Sequence, residues 1–279
     1  MTVDEIVAVA TFGDVDRAGA QVSISPDGKF LIVIQEQATP DRKMLQADIL
    51  LWKKADLELS AEKASTVPSP IRLATFASAN GPVVISLKWS QDSRSVAVLV
   101  TEGKGSSALW RVALSGGKQM VSLPAQNVRS FDVAASTIVY TASAASPIDG
   151  NTQDPGGGLA IAKLGTGKAL QDLLFPDDNP DPSQWVDLWR WSGGRPSRVA
   201  VTGAIRLSED RNPLALSPDG KIVIVDFPVD RVPAEWSRFS ADTRLDVTAS
   251  WVSGPQRFTN TNGFIPHQFQ ILDLGAGIA

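Results

Sequence analysis

Apolar and polar residues along this chain alternate in short runs, and the runs come in pairs around a recurrent polar turn. Val22 to Val33 reads as an apolar strand, Ser25-Pro26-Asp27-Gly28-Lys29, and a second apolar strand. The same order returns from Pro213 to Val225 around Ser217-Pro218-Asp219-Gly220-Lys221. A weaker copy spans Ile85 to Leu99, with Ser90-Gln91-Asp92-Ser93-Arg94 at its turn. An eroded one spans Val128 to Thr141, where Phe131-Asp132-Val133 and Ile138-Val139-Tyr140 remain but the turn has neither Pro nor Gly. In such a turn Pro sets φ at the first corner, Asp accepts backbone hydrogen bonds, and Gly takes the positive-φ position that closes it. The flanks, such as Phe30-Leu31-Ile32-Val33-Ile34 and Ile222-Val223-Ile224-Val225, are continuous and largely β-branched, the pattern of strands buried on both faces. Each copy predicts a β-hairpin.

Further strand signals follow the hairpins, at Asp48–Trp52, Ser107–Val112 and Phe269–Leu274. The second of these runs through the Gly116-Gly117 loop into Gln119–Leu123, as a hairpin does. Four strands per repeat make the blade of a β-propeller, and the turn aspartates Asp27, Asp92 and Asp219 lie 65 and then 127 residues apart, close to one and two repeats. The predicted fold is therefore all-β, a β-propeller of four-stranded blades, with four to five blades legible and an incomplete ring. Residues 1–20 read as a lead-in with a short N-terminal helix at Thr2–Val7, where Thr2 is the N-cap and Glu5 lies three residues on. Blades fill 21–279, at about 21–75, 83–124, 128–175 and 184–279, with insertions.

Composition narrows the function classes. The 279 residues carry 26 Lys plus Arg against 30 Asp plus Glu, a net charge of −4, so no basic field attracts a phosphate backbone and nucleic acid is not the expected partner. The absence of cysteine removes disulfides, thiolate zinc sites and cysteine nucleophiles together. No stretch approaches the ~20 apolar residues of a membrane-spanning helix, and Met1–Ala10 has no basic segment ahead of an apolar run. These features leave the compartment open.

Candidate chemistry is sparse. Trp185, Trp189 and Trp191 cluster in Gln184–Trp191 and could line a peptide or sugar pocket, although packing between blades is the commoner use of tryptophan in such a fold. His267, the single histidine, has no thiol or carboxylate cluster beside it in sequence and reads as structural. Asp149–Asp154 spaces oxygen ligands without the order or closing glutamate of a calcium loop, and the acidic Pro176–Pro182 reads as a proline-punctuated surface loop. Gly116-Gly117 and Gly156-Gly157-Gly158 lack the following helix and Lys-Ser/Thr of a phosphate cradle. No catalytic, metal-ligating or cofactor-binding residue is assigned.

Ser-Pro-Asp-Gly-Lys before an apolar strand, with Trp110–Lys118 as an outer strand pair, resembles the propeller repeats of TolB-type proteins and of prolyl oligopeptidase family peptidases. The lead-in helix followed by Phe12-Gly13-Asp14 adds to the peptidase likeness. That resemblance implies a substrate-gating propeller beside an α/β-hydrolase domain, a peptide or protein ligand, and a periplasmic or secreted setting. The family's serine elbow, G-x-S-x-G, occurs nowhere in this sequence, so no catalytic residue carries over and the C-terminal hydrolase domain is expected to be missing from a fragment or truncated product. The alternative implied by the same repeats is a stand-alone TolB-like protein-binding scaffold. An enzyme built into the propeller itself would need convergent carboxylates that the sequence does not place.

Overall fold

The hairpins written into the repeats assemble into antiparallel sheets that follow one another along the chain. The computed structural model describes residues 10–15, 20–39, 42–63, 66–79, 81–102, 106–134, 136–143, 186–200, 214–228 and 267–275. The first sheet holds β1 (Thr11–Gly13), β2 (Val22–Ile24), β3 (Phe30–Thr39), β4 (Met44–Lys53) and β5 (Ile71–Ser78). Both β1 and β2 pair with β3, Gly13 opposite Ile34 and Val22 opposite Val33, so they form one interrupted first strand and the sheet has the four positions of a blade. The second sheet runs β6 (Val84–Trp89), β7 (Ser95–Glu102), β8 (Ser106–Ala113), β9 (Lys118–Met120). The third runs β10 (Val128–Val133), β11 (Ile138–Ser143), β12 (Val186–Trp191), β13 (Ser197–Arg198), and the fourth β14 (Leu214–Leu216), β15 (Ile222–Pro228), β16 (His267–Asp273). The first three sheets have four strand positions each and the fourth shows three strands among the described residues; such consecutive antiparallel sheets stacked face to face are propeller blades.

Three apolar clusters sit at the three interfaces between sheets. Ile32, Ile34, Ile49 and Phe76 of the first sheet meet Val96, Val98 and Val100 of the second. Ala97, Leu99 and Leu109 of the second meet Phe131, Ile138 and Tyr140 of the third. Val139, Val186 and Leu188 of the third meet Leu214, Val223 and Val225 of the fourth. The period of two along each strand is what allows this, since successive side chains leave opposite faces of the sheet. In β7 it sends the valines one way and Ala97 and Leu99 the other. Each fully buried Val or Leu contributes roughly 1.5–3 kcal/mol relative to exposure.

Polar ties run between the same sheets. Asp132 on β10 accepts from Lys88 Nζ of β6 at 2.9 Å and, on its other oxygen, from the backbone N–H of Leu216 on β14 at 2.7 Å, joining the first strands of three blades. At the outer strands Lys118 Nζ donates to the Thr75 carbonyl at 2.8 Å and lies 4.5 Å from the Phe76 ring centroid and 5.4 Å from that of Trp110. Both ties pair a cation with groups of the neighbouring blade and both add a cation–π contact, Lys88 Nζ lying 5.7 Å from the Phe131 ring centroid.

Two features differ from the sequence-based expectation. Val186–Trp191, expected in the unit at 184–279, pairs instead with β11 from Ile138↔Trp191 to Ser143↔Val186 and belongs to the third sheet. Alternation decides this: Val186 and Leu188 bury toward the fourth sheet while Trp191 buries toward the second, which needs a sheet covered on both sides. Secondly, a helix α1 (Lys54–Glu62) is inserted between β4 and β5. It buries no residue, and its Lys-Ala-Asp-Leu-Glu-Leu sequence is held helical by propensity and by the i,i+4 ion pair of Lys54 with Glu58 at 3.4 Å. The helix expected at Thr2–Val7 lies outside the described residues.

Candidate functional site

The repeated turns build one face of the molecule, each by the same network. Ser25, Ser90 and Ser217 donate their hydroxyls to Asp27, Asp92 and Asp219 at 2.6 Å in every case. Each Asp Oδ1 also accepts the backbone N–H two residues on, from Lys29, Arg94 and Lys221, at 3.1 Å. Each serine oxygen accepts the N–H five residues on, from Phe30, Ser95 and Ile222, at 3.0, 3.0 and 2.9 Å. These donors favour the ionised carboxylate and hold all three acids below their ordinary value. At Asp27 and Asp219 the serine hydroxyl contributes most, then the backbone N–H and the adjacent lysine charge. At Asp92 burial pushes the other way, and the Ser90 hydroxyl, the Arg94 N–H and the charges of Arg94 and Arg111 outweigh it.

The closing residue of the turn ties neighbouring blades. Gly28 and Gly220 have φ of +71°, and the serine at the equivalent place in the second blade, Ser93, has φ of +57°. A non-glycine residue there costs about 1–2 kcal/mol. Ser93 offsets that cost with its hydroxyl oxygen, which accepts the Asp27 N–H of the first turn at 3.1 Å. Gly220 leans on the third turn so closely that a Cβ would stand 3.0 Å from Thr137 Cβ.

Between the second and third turns the face opens. The third hairpin is shorter: Ala134 N–H donates directly to the Thr137 carbonyl, leaving two residues in the loop, where the Ser90–Ser95 turn closes across four. The recess is a cleft of about 260 Å³. Its floor includes Ala97, Ile138 and Trp191, which are 1%, 2% and 5% exposed. Asp92, Ser95 and Arg111 stand on one side and Ser136 and Ser192 on the others. Arg111 Nε donates to Ser95 Oγ at 3.1 Å, and Ser95 Oγ is itself within 3.1 Å of Ser90 Oγ. A second cleft of about 410 Å³, at the opposite end of the first two blades, is lined by Asp14 and Glu36 among others. There the Glu36 carboxylate is used in accepting the N–H groups of Val83 and Val84 at 3.0 and 3.3 Å.

The tryptophans separate in role. Trp191 donates Nε1–H to the Gly194 carbonyl at 2.8 Å and is buried where it lines the cleft. Trp189 is half-buried and stacks on Tyr140, with centroids 6.3 Å apart and planes 11° from parallel. Trp185, Asp149–Asp154, Gly156–Gly158 and Pro176–Pro182 lie outside the described residues. His267 starts β16, its backbone opposite Pro228 of β15, and Gly116 and Gly117, at φ +97° and +92°, turn β8 into β9. Among the described residues no cluster of three His, Cys, Asp or Glu could hold a metal ion, and no helix is long and apolar enough to cross a membrane. Arg111 escaped the sequence-based assignment. Its signal was an arginine two residues after Leu109, on the same face of the strand and opposite the buried Ala97, a position charged residues rarely take without a reason.

No family model matches the sequence, and no curated protein matches it. Among solved structures, the chain is similar to an acylaminoacyl peptidase of Pyrococcus horikoshii at 10% identity and TM-score 0.44, covering 82% of this chain and 29% of that one. It is similar to the β-propeller domain of the trilobed protease of Pyrococcus furiosus at 13% identity and TM-score 0.39, covering 77% and 51%. It is also similar to TolB of Acinetobacter baumannii at 12% identity and TM-score 0.36, covering 97% and 42%. The chain thus spans about half or less of the length of these proteins.

Proposed function

We propose that this chain is a peptide- or protein-binding propeller module that acts by steric filtering and positioning and performs no bond chemistry of its own. The observation that carries this reading is the commitment of the turn-face acids. Asp27, Asp92 and Asp219 each take a serine hydroxyl and a backbone N–H, and are held ionised by them. A general acid must hold a proton near neutral pH and a general base must have a free lone pair aimed at substrate. Held ionised, these carboxylates do not supply a general acid; with Oδ1 tied to the serine and the backbone they make the loops rigid, which is what a docking surface needs. In the arrangement the sequence repeats suggest, the module lies over the active site of an α/β-hydrolase domain and restricts entry to peptides.

The test is a paired assay on the purified chain. Peptide, ester and glycoside substrates should show no turnover above buffer, while extended peptides bind saturably. Robust hydrolysis of any of the three would overturn the reading. A TolB-like scaffold would bind without a hydrolase neighbour, and reading the locus beyond codon 279 for a G-x-S-x-G-bearing segment separates the two.

A further inference from the structure

The cleft between the second and third blades combines a cation, an apolar floor and a size limit, and each restricts what can enter. Among the described residues Arg111 makes one side-chain hydrogen bond, from Nε to Ser95, and no carboxylate stands in ion-pair contact with it. Its two terminal nitrogens therefore keep their donors, on a guanidinium whose base is fixed. A planar fork of this kind matches the two oxygens of a carboxylate. Asp92 is the other charged group on the cleft, close enough for the Arg111 charge to act on it, with Oδ1 already occupied by Ser90 and Arg94. Its negative charge repels a second negative charge on a ligand and so disfavours a dianion such as a phosphate relative to a monoanion. Ala97, Ile138 and Trp191 beneath are apolar, and about 260 Å³ holds one residue rather than the 300–1,000 Å³ of a full ligand pocket.

We propose that this cleft is a subsite for the C-terminal residue of a peptide, with Arg111 receiving the α-carboxylate and the floor formed by Ala97, Ile138 and Trp191 receiving an apolar side chain. The assignment rests on the peptide-binding reading above and gives it a polarity: the chain end enters the turn face where the third hairpin is two residues short. Ser136 and Ser192, at the rim, supply hydroxyls for the last peptide group.

Calorimetric titration of the whole chain with N-acetyl-Ala-Ala-Leu as the free acid and as its C-terminal amide tests this. The free acid should bind at least about tenfold more tightly, as expected for loss of a charge-assisted pair. Arg111→Gln should abolish the difference and Arg111→Lys should restore part of it, with melting curves confirming that the variants fold. Should Arg111→Gln fail to fold, Ser136→Trp, which fills the cleft from its rim, takes its place and should weaken the free acid alike. Equal binding of acid and amide, or wild-type affinity in a folded Arg111→Gln, overturns the subsite. So does failure of both leucine peptides to bind. Where both leucine peptides fail, a 20-residue peptide amidated at its C-terminus separates the two readings: its binding preserves the peptide-binding module while the subsite falls, and its failure removes both.

Discussion

Strand β7 in the second blade and strand β15 in the fourth have nearly the same sequence character and opposite surroundings. Every residue from Ser95 to Thr101 is buried, because apolar sheets cover both faces. In β15, Val223 and Val225 are 0% and 1% exposed toward the third sheet, while Ile222 and Ile224 are 42% and 37% exposed on the other face. Phe269 and Ile271 of β16 continue that face at 68% and 71%. A continuous apolar run therefore specifies a strand suited to two covered faces, and the neighbouring sheets decide how many are covered. Stability should follow the covering rather than the sequence pattern.

The largest expected effect tests that contrast directly. Leu99→Ala, at 2% exposure in the second blade, should cost about 2–5 kcal/mol by denaturant unfolding. Ile271→Ala, on the exposed face of the fourth, should cost within about 0.5 kcal/mol. Similar losses at both sites would break the comparison. Next in size is a pair of glycines with the same backbone angle. Gly28→Ala meets open space and should cost only the left-handed strain, about 1–2 kcal/mol. Gly220→Ala adds a 3.0 Å clash with Thr137 and should cost visibly more. Equal values would mean that the fourth turn does not rest on the third.

Smaller still is Ser93→Ala, which keeps the positive φ of +57° and removes the hydroxyl that accepts the Asp27 N–H. It should cost about 0.5–1.5 kcal/mol, and Ser93→Gly less, because glycine relieves the strain as the bond is lost. The weakest effect is the acid dependence of the turns. Asp27, Asp92 and Asp219 are lowered from 3.8 in the folded chain, so each contributes stability that is present above that value and lost as pH falls through its lower folded value. Melting temperature should fall on acidification below pH 3.8, and Asp→Asn at all three positions should flatten that part of the curve. An unchanged slope would show that the serine–aspartate networks persist in the unfolded chain.

The first, second and fourth hairpins were legible because their turn chemistry is local: Ser, Asp and Gly or Ser at fixed offsets satisfy one another within five residues. The third hairpin kept its strands in the sequence pattern, Phe131–Val133 against Ile138–Tyr140, but lost the motif because its loop is two residues shorter. The partner of β11 was not legible. Val186–Trp191 begins 43 positions after Ser143, and nothing local to Ile138–Ser143 names a partner that far away. Helix α1 stayed hidden because a helix that buries nothing leaves no periodic trace. Long-range assembly conceals the cleft. Arg111 and Asp92 are 19 residues apart in sequence and sit in different strands and turns, while Ser136 and Ser192 come from another blade. Only the stacking of two sheets brings them together. Trp189 and Trp191 were visible as a pair, but the pattern could not distinguish a ring stacked on Tyr140 from one exposed to a ligand.

Native-state hydrogen exchange, resolved strand by strand, is the most direct test of blades stacked into a rigid scaffold whose inner sheets are covered on both faces. The slowest amides should lie in Ser95–Glu102 and Ile138–Ser143, opening only with global unfolding, while Ile222–Pro228 and His267–Asp273 exchange orders of magnitude faster through local opening. Uniform protection across all four strands, or slowest exchange in the fourth blade, would contradict it.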